Sequence, residues 1–267
     1  MTHGERIDLG TGELVFELDP PLAWLTFNRP DARNAMTWAM YEGLMRACDA
    51  VDADARVKVF LLRGAGEKAF ISGTDISQFT AFTTARHALD YEHEQNRHIG
   101  RVEAVTKPTL AVLRGYCTGG GAAIAGACDI RIAAPDVRFG VPIAKTLGNT
   151  LSMQNLARIV ALLGVARAKD VLLRARFIHA DEGRAIGLFS EIVEPERLDA
   201  RAVEIAHELA ALAPLTIRSL KEGIRRIGAH ARADDAEDLV LLTYLSEDFQ
   251  EGVRAFLEKR PPRWQGR

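Results

Sequence analysis

The sequence has few of the features that mark secreted, membrane-spanning or zinc-binding proteins. Only three of its 267 residues are cysteine, and Cys48, Cys117 and Cys128 have neither CxxC pairs nor the spacing of a zinc site. Three thiols cannot all pair with one another, so we expect reduced cysteines, as in a cytoplasmic protein. The N-terminal residues have no apolar signal-peptide core, and no apolar run approaches the ~18 residues of a membrane span. These absences predict a cytoplasmic protein without a membrane partner.

The chain also lacks a large excess of charge of either sign. Its formal net charge is −2, with 26% charged residues, so there is no overall positive field to attract nucleic acid. We find no P-loop, no GxGxxG after a strand and no serine nucleophile elbow, and there is no internal repeat or low-complexity linker. With 48% hydrophobic residues, the chain is long enough to form one large α/β domain with a substantial core.

The hydrophobic pattern alternates between strands and helices along the N-terminal part of the chain. Glu13–Leu18 and Leu22–Phe27 predict two strands, and Thr37 is an N-cap candidate for a helix that continues to about Val51. Four further elements follow in the same alternation: a strand at Val57–Arg63, a helix from about Thr84 to Val105, and strands at Thr109–Leu113 and Ile130–Ala133. This alternation predicts an α/β fold with strands buried beneath helices.

From Ser152 onward the pattern is almost wholly helical. It predicts one short strand at Ser190–Val193, and interruptions of the helices at Pro214 and around Gly228–Arg232. Ser152 itself is a candidate N-cap for the helix that begins at Met153.

Gly119–Gly121 form the most informative stretch, because three glycines run directly into an alanine-rich helical segment. Glycine lets another group approach the backbone closely, and a helix N-terminus leaves amide N–H groups unpaired beside a partial positive charge. A second turn of this kind, Phe70–Ile76, follows an apolar run that predicts a buried strand. Two such N–H donors aimed at one carbonyl oxygen would form an oxyanion hole, in which a single donor is worth roughly 10²–10³ in rate.

At these turns the sequence resembles the crotonase (enoyl-CoA hydratase/isomerase) superfamily, and the resemblance covers nearly the whole chain. The motifs that carry it occur in family order: Leu25–Met36, Lys68–Ile76, the glycine triplet, Cys128–Ala133, Phe139–Pro142 and Ser246–Arg260. The resemblance implies a spiral of ββα units in residues 1–194, which would form the acyl-CoA-binding core. It implies a helical trimerisation region in residues 195–267, and assembly as a homotrimer or a dimer of trimers.

The resemblance also implies the position of the site. The backbone N–H groups of Thr74 and Gly120 match those that form the family's oxyanion hole for a thioester carbonyl. A coenzyme A thioester would then be the substrate, with no permanently bound cofactor and no metal. The remaining substrate-binding positions that we expect are Arg33, Ala35, Lys68, Ile71, Ser72, Gly73, Asp75, Ile76, Tyr116, Gly119, Ala123, Pro142, Ile143, Leu147 and Lys259.

For several of these positions we expect a specific role. The backbone around Arg33–Ala35 and Ile71–Gly73 would hold the adenine and pantetheine, with Lys68 and Lys259 near the phosphates. Asp75 is expected to cap the following helix rather than to act in catalysis.

The sequence departs from the family pattern where the hydratases carry two glutamates that position and activate water. Those positions are Ala123 and Ile143 here, and neither side chain can accept a proton. General acid–base groups contribute roughly 10²–10⁴ each, so simple enoyl-CoA hydration is expected to be weak. Isomerases retain the second glutamate, which is also absent. The aromatic dehalogenases place an aspartate after a Gly-Asn pair, where this chain has Thr150.

The exact reaction therefore stays open within an enoyl-CoA hydratase/isomerase-like enzyme of the lyase or isomerase class. Decarboxylation, C–C cleavage and hydrolysis are alternatives, and so is a non-catalytic acyl-CoA-binding subunit. By family analogy, the helix that includes Tyr91, Glu92 and Glu94 lies near the acyl pocket and could supply an acid or base. His93 and His98 have i,i+5 spacing, which does not place two zinc ligands on one helix face, and we expect both to be exposed.

Three other groups of polar residues have structural interpretations beside the functional ones. Tyr116, Cys117 and Thr118 precede the oxyanion glycine, and we expect them to serve packing rather than catalysis. Asn149, Thr150 and Ser152 could hydrogen-bond a polar acyl group, whereas Tyr244, Glu247 and Asp248 lie in a region whose spacing indicates core or subunit packing.

Overall fold

The computed structural model describes residues 4–81, 85–146 and 150–230, together with 247, 248, 251, 255, 258, 260 and 263–267 near the C-terminus. Ten strands lie in this part of the chain: β1 (Glu5–Ile7), β2 (Leu14–Asp19), β3 (Leu22–Phe27), β4 (Val59–Gly64), β5 (Ala69–Ile71), β6 (Thr109–Leu113), β7 (Tyr116–Thr118), β8 (Ile130–Ala133), β9 (Arg138–Gly140) and β10 (Glu191–Ile192). The α-helices described there are α1 (Trp38–Ala53), α2 (Ala85–Glu103), α3 (Gly120–Ala127), α4 (Ile143–Thr146), α5 (Met153–Leu173), α6 (Ala180–Ala185), α7 (Leu198–Ala210) and α8 (Pro214–His230).

A seven-stranded sheet forms the centre of the fold, in the order β1-β2-β3-β4-β6-β8-β10. The first three strands pair antiparallel, and the remaining pairs are parallel. Val59, Phe60, Leu61 and Leu62 of β4 are all fully buried. Such an uninterrupted apolar run is typical of a parallel strand that is covered on both faces.

Helices cover both faces of this sheet. On one face, the main core joins the sheet to α1, α2, α3 and α5, with Tyr41, Leu44 and Ile124 among its fully buried side chains. On the other face, α7 packs Leu198 and Ala202 against the sheet in a second apolar cluster. These two layers give the α/β architecture that the alternating pattern predicts. The division of the chain at residues 194 and 195 stays a prediction.

A second sheet of three short parallel strands, β5-β7-β9, was not predicted from the sequence. Each strand has three residues and is held by pairing with a strand that is distant in sequence, so the local pattern carries little signal. The carboxyl ends of parallel strands meet at one edge of a sheet, and ligands bind in the crevice outside such an edge. Here that edge brings together the segments that follow Ile71, Thr118 and Gly140.

Both predicted helix caps are confirmed. The Thr37 hydroxyl accepts a hydrogen bond from Met40 N at 3.2 Å, and the Ser152 hydroxyl accepts one from Asn155 N at 3.3 Å. The predicted strands at Leu22–Phe27, Thr109–Leu113 and Ile130–Ala133 are confirmed without change, and the boundaries of the other predicted strands shift by one or two residues.

The C-terminal region is helical as far as the structure describes it. Pro214 is the first residue of α8. At this position no helical hydrogen bond requires the N–H that proline lacks. That helix continues to His230, so the predicted interruption does not occur at Gly228, and residues 231–232 lie outside the described residues. None of the helices in the described ranges has the length and apolarity needed to cross a bilayer.

Candidate active site

Two glycine turns at the edge of the small sheet define the site. Gly73 has φ 119° and Gly119 has φ 55°, conformations that residues with a side chain rarely adopt. Met36 holds the first turn in place through two hydrogen bonds. Its N–H donates to Gly73 O at 2.8 Å, and its carbonyl accepts from Asp75 N at 2.9 Å. The second is pinned by the Gly119 N–H, which donates to Gly140 O at 3.0 Å. Strand pairing and these bonds therefore fix both turns.

The two turns are in contact, and each presents an unpaired amide. A Cβ added to Gly120 would lie 3.8 Å from Thr74 N, so little separates the two segments. Within the described part of the chain, neither Thr74 N nor Gly120 N donates to a protein acceptor. Gly120 is the first residue of α3, where a helix leaves its N–H groups unsatisfied. The two N–H groups are therefore available to an oxygen atom of a ligand.

The turns open onto a cavity of about 250 Å³. Its wall includes parts of α2, α3 and α4, the first turn of α5, and Phe177, which lies just beyond α5. Eleven of the residues predicted for the site lie in this wall: Arg33, Ser72, Gly73, Thr74, Ile76, Tyr116, Gly119, Gly120, Ala123, Pro142 and Ile143. The structure thus brings together residues from four separate parts of the sequence around one space.

Four other predicted residues lie outside the cavity wall. Ile71 is fully buried in β5, and the Ala35 carbonyl accepts a hydrogen bond from the Arg29 guanidinium at 2.6 Å. Lys68 is exposed, with its backbone carbonyl paired to Tyr116 N. The predicted positions Leu147 and Lys259 lie outside the described residues, as do Asn149 and Tyr244.

Asp75 is the fourth predicted residue that lies outside the cavity wall. Its carboxylate supports the turn that contains Gly73. The carboxylate accepts from the Ser77 backbone N–H at 3.1 Å and from the Ser77 hydroxyl at 2.7 Å. Arg29 forms an ion pair with it at 3.1 Å. The Ser77 hydrogen bonds and the Arg29 charge hold the Asp75 pKa below its usual range. These contacts fit the capping role expected from the sequence.

A chain of three hydroxyl groups lies beside the two amides. The Thr74 hydroxyl is 2.8 Å from the Tyr41 hydroxyl and 3.1 Å from the Tyr91 hydroxyl. Burial raises the pKa of Tyr91 to about 12 and raises that of Tyr41 further, so both phenols stay protonated near neutral pH. Tyr41 was not predictable from the sequence, because a tyrosine on the apolar face of a helix gives the same pattern as any core residue.

The helix α2 supplies the remaining polar wall of the cavity, through Tyr91, Glu92 and Gln95. Glu92 Oε2 accepts a hydrogen bond from Ser152 N at 3.0 Å. Burial raises the Glu92 pKa above its usual value, and the Ser152 hydrogen bond opposes that effect. Glu92 is the only carboxylate among the described residues that line the cavity.

Gln95, Asn155 and Phe177 also line the cavity and were missed by the sequence analysis. Gln95 lies one helical turn beyond Tyr91, so the period of α2 could have indicated it. Asn155 is buried on the first turn of α5, immediately after the predicted cap at Ser152. No local signal marks Phe177.

The expectation that both histidines of α2 are exposed is wrong for His98. His93 is exposed, whereas only 4% of the His98 surface is accessible. His98 lies on the same helix face as Gln95 and Ile99, and its ring stacks on Tyr41 with centroids 5.1 Å apart. The face of α2 that packs on α1 was not identifiable from the sequence, because much of that face is polar.

Glu42, Glu94 and His98 place three potential metal-ligand atoms within 4.8 Å of one another. The Arg97 guanidinium bonds to both carboxylates, and His98 Nε2 lies 3.0 Å from Glu42 Oε1. The His98 hydrogen bond is the main cause that lowers the Glu42 pKa. The Arg97 charge therefore already offsets part of the negative charge of this cluster, and none of the three residues lines the cavity. The arrangement fits an ion-pair network between α1 and α2.

Comparison with known proteins gives a consistent result across the chain. The family model described as enoyl-CoA hydratase/isomerase matches residues 19–267. A short-chain-enoyl-CoA hydratase from Clostridium acetobutylicum and a crotonyl-CoA hydratase from Syntrophomonas wolfei are each 34% identical over 251 residues, which is 92% of this chain and 95% of each relative. The solved structure of an enoyl-CoA hydratase/carnithine racemase from Magnetospirillum magneticum is 35% identical, covers 96% of this chain and 97% of its own, and has a TM-score of 0.88.

Proposed function

The chain belongs to the enoyl-CoA hydratase/isomerase family, and on that premise we propose that it binds an acyl-CoA thioester and stabilises its enolate. One observation carries the proposal. The amides of Thr74 and Gly120, each without a protein acceptor among the described residues, come from two touching turns and face one cavity. A thioester oxygen in that cavity would accept both hydrogen bonds.

The proposed chemistry follows from where charge develops. When a proton leaves the α-carbon of a thioester, the electron pair moves towards the carbonyl oxygen, which becomes an enolate oxygen. Donors already in place stabilise that charge without reorganisation, and one such donor is typically worth roughly 10²–10³ in rate. The partial positive charge at the N-terminus of α3 acts in the same direction. Thr74 and Gly120 would therefore contribute through backbone atoms, whatever their side chains.

Coenzyme A would enter past Arg33 and Tyr116. The Arg33 guanidinium lies 5.2 Å from the centre of the Tyr116 ring, and the Arg33 carbonyl accepts from Ser72 N at 3.1 Å. This contact holds the Arg33–Ala35 backbone beside the Ile71–Gly73 turn, where we place the adenine and pantetheine. Lys68 is exposed immediately before β5 and is available to a phosphate. Coenzyme A is thus a part of the substrate rather than a resident cofactor.

The reaction after enolate formation is the second part of the proposal. Ala123 and Ile143 line the cavity, and neither can hold a water molecule or move its proton. We therefore propose slow hydration of simple enoyl-CoA, although the relatives named above are hydratases. The apolar side chains at these two positions favour a different reaction of the superfamily that passes through an enolate or a related oxyanion, such as decarboxylation, C–C cleavage or hydrolysis. They also leave a non-catalytic acyl-CoA-binding subunit as the rival function.

We also propose that the protein works as a homotrimer or a dimer of trimers in the cytoplasm. Leu220, Ile224 and Ile227 of α8 are all more than half exposed, and they lie on one helix face at i, i+4 and i+7. A second copy of this chain would cover that face. The three cysteines are buried and unpaired, in keeping with a reducing compartment.

The experiment that tests the proposed site measures the bound carbonyl directly. An acyl-CoA labelled with ¹³C at its carbonyl is added to the protein, and the C=O stretching band is followed by infrared difference spectroscopy. Two N–H donors should move the band to lower wavenumber on binding. Gly120→Pro and Gly120→Ala both add a Cβ, but only proline removes the N–H. The band shift should therefore shrink further in Gly120→Pro than in Gly120→Ala.

Calorimetry with the same acyl-CoA completes the test. Binding without any shift of the carbonyl band would contradict the oxyanion hole. No binding of acyl-CoA by the wild-type protein would contradict the family function for this chain.

A further inference from the structure

Glu92 lies at the candidate site, but the function proposed above gives it no role. Its side chain lies in the wall of the cavity that holds the two amides, and it is the only carboxylate among the described lining residues. It follows Tyr91 on α2, and the Tyr91 hydroxyl contacts the Thr74 side chain at 3.1 Å. Tyr91 thus joins this part of α2 to the turn that contains Thr74.

The Glu92 carboxylate is held in place by one of its two oxygens. Oε2 accepts from the N–H of Ser152, which is the N-cap residue of α5. The neighbouring Asn96 binds the same residue, because the Ser152 hydroxyl donates to Asn96 Oδ1 at 2.6 Å. These two hydrogen bonds join α2 to α5 and fix the direction of the Glu92 carboxylate. Oε1 has no hydrogen-bond partner in the described part of the chain and is available to a substrate.

Among the described residues of the cavity wall, the other side chains are unsuited to accepting a proton. Ala123 and Ile143 are apolar, and the phenols of Tyr41 and Tyr91 have pKa values raised by burial, so they do not ionise near neutral pH. The Glu92 carboxyl is half-buried, and desolvation raises its pKa, which makes the carboxylate a stronger base. Glu92 is therefore the group among these lining residues that is able to act as a base.

We propose that Glu92 is the catalytic base of this site and removes the α-proton of the bound acyl-CoA, an inference that rests on the function proposed above. The Cα–H bond breaks, the proton passes to Oε1 of Glu92, and the electron pair forms the enolate whose oxygen is held by Thr74 N–H and Gly120 N–H. Return of the proton from Glu92 to the α-carbon reverses the step. No oxidant, metal or second substrate is needed, so the exchange of α-protons with solvent isolates this step.

The test is deuterium exchange at the α-carbon of butyryl-CoA in D₂O, followed by mass spectrometry of the recovered thioester. The wild-type protein should incorporate deuterium. Glu92→Gln keeps the size of the side chain and an oxygen that can accept from Ser152 N, but its amide is not a base. Exchange should fall by about 10²–10⁴ in this variant, the usual contribution of a general base. Calorimetric binding of butyryl-CoA should be unchanged.

Two control variants separate the base from the structure that holds it. Glu196→Gln makes the same chemical change at an exposed position that does not line the cavity, and it should exchange at the wild-type rate. Asn96→Ala breaks the Ser152–Asn96 hydrogen bond without changing Glu92, so it measures the effect of weakening the contact between α2 and α5. A loss in Asn96→Ala as large as that in Glu92→Gln would assign Glu92 a structural role and overturn the proposal.

The remaining outcomes are also decisive. Wild-type exchange that persists in Glu92→Gln would show that another group takes the proton. Tight binding of butyryl-CoA by the wild-type protein with no exchange would reject Glu92 as the α-carbon base while leaving the binding function intact. Absence of binding would instead remove the acyl-CoA function on which the inference rests.

Discussion

The Tyr41 hydroxyl oxygen lies only 2.5 Å from the position that a Cβ at Gly120 would occupy. The hydroxyl is held there by Thr74 Oγ1 at 2.8 Å, and the ring is fully buried against His98. Gly120 is thus required for space as well as for its N–H, because the tyrosine cannot move aside without breaking its hydrogen bond.

Gly120→Ala should therefore be destabilised by about 1–3 kcal/mol, as in other overpacked sites. Tyr41→Phe removes the oxygen that the added Cβ meets, and by itself it should cost about 0.5–1.5 kcal/mol for the lost hydrogen bond. Because the two changes share one contact, the double variant should cost less than the sum of the single ones. Thermal unfolding at one protein concentration measures this coupling. Additive effects would contradict the contact.

Wild-type protein should hydrate crotonyl-CoA very slowly. Two general catalysts that each contribute roughly 10²–10⁴ are replaced by Ala123 and Ile143, although their effects within one site are not additive. Loss of the enoyl absorbance gives the rate, and calorimetry of a saturated acyl-CoA shows that binding is retained. The double variant Ala123→Glu, Ile143→Glu should be faster. Rapid hydration by the wild-type protein would require a substitute pair of catalysts and would contradict this prediction.

The Glu92 carboxylate should lower stability at neutral pH. Burial raises its pKa in the folded protein, so the folded state binds the proton more tightly than the unfolded state does. The free energy of unfolding therefore falls as pH rises from the ordinary glutamate pKa through the raised one. Tyr41 and Tyr91, which face Glu92, stay protonated over this range.

Glu92→Gln removes the titrating carboxyl group and with it the pH dependence that this group adds to stability. Its melting temperature should exceed that of the wild type at about pH 7.5, and the difference should shrink at about pH 4.5, where the wild-type carboxyl becomes protonated. An equal difference at both pH values would contradict the raised pKa.

Substitution of the exposed apolar face of α8 should release single chains. Leu220→Glu with Ile224→Glu places two charges in the proposed interface, where burial of an unpaired charge is costly. Sedimentation velocity should show a smaller species than for the wild type. Arg218→Gln changes the charge by the same amount per site on an exposed position away from this face, and it should leave the assembly intact. A wild-type protein that sediments as a monomer would reject the assembly outright.

The parts of the fold that were predictable depend on local chemistry. Thr37 and Ser152 were identified as caps because a hydroxyl before an amphipathic run satisfies backbone N–H groups within the next turn. The central strands of the large sheet were found because their burial leaves apolar runs, whereas the short, mostly exposed β1 was not predicted. By contrast, β5, β7 and β9 have three residues each, and their pairing partners are far away in sequence.

The candidate site shows the same distinction. Gly73 and the glycine triplet were visible because their backbone demands a residue without a side chain. The hydroxyl chain from Tyr41 to Tyr91 was not visible, since it depends on how α1 and α2 pack together. The wrong expectation for His98 has the same origin. Glu92 was one of several polar residues on α2, and only the packed structure identifies it as the carboxylate among the described residues that faces the cavity.

The small sheet also determines when the protein can become active during folding. Its pairings join strands that are far apart in the chain, so each one closes a long loop. Contacts with large sequence separation are associated with slow folding. The two amides are therefore brought together by long-range strand pairing rather than by any local turn. We expect a partly folded chain that has its helices but lacks the β5-β7-β9 pairing to lack the proposed thioester site, so newly made protein would gain its chemistry only when this pairing is complete.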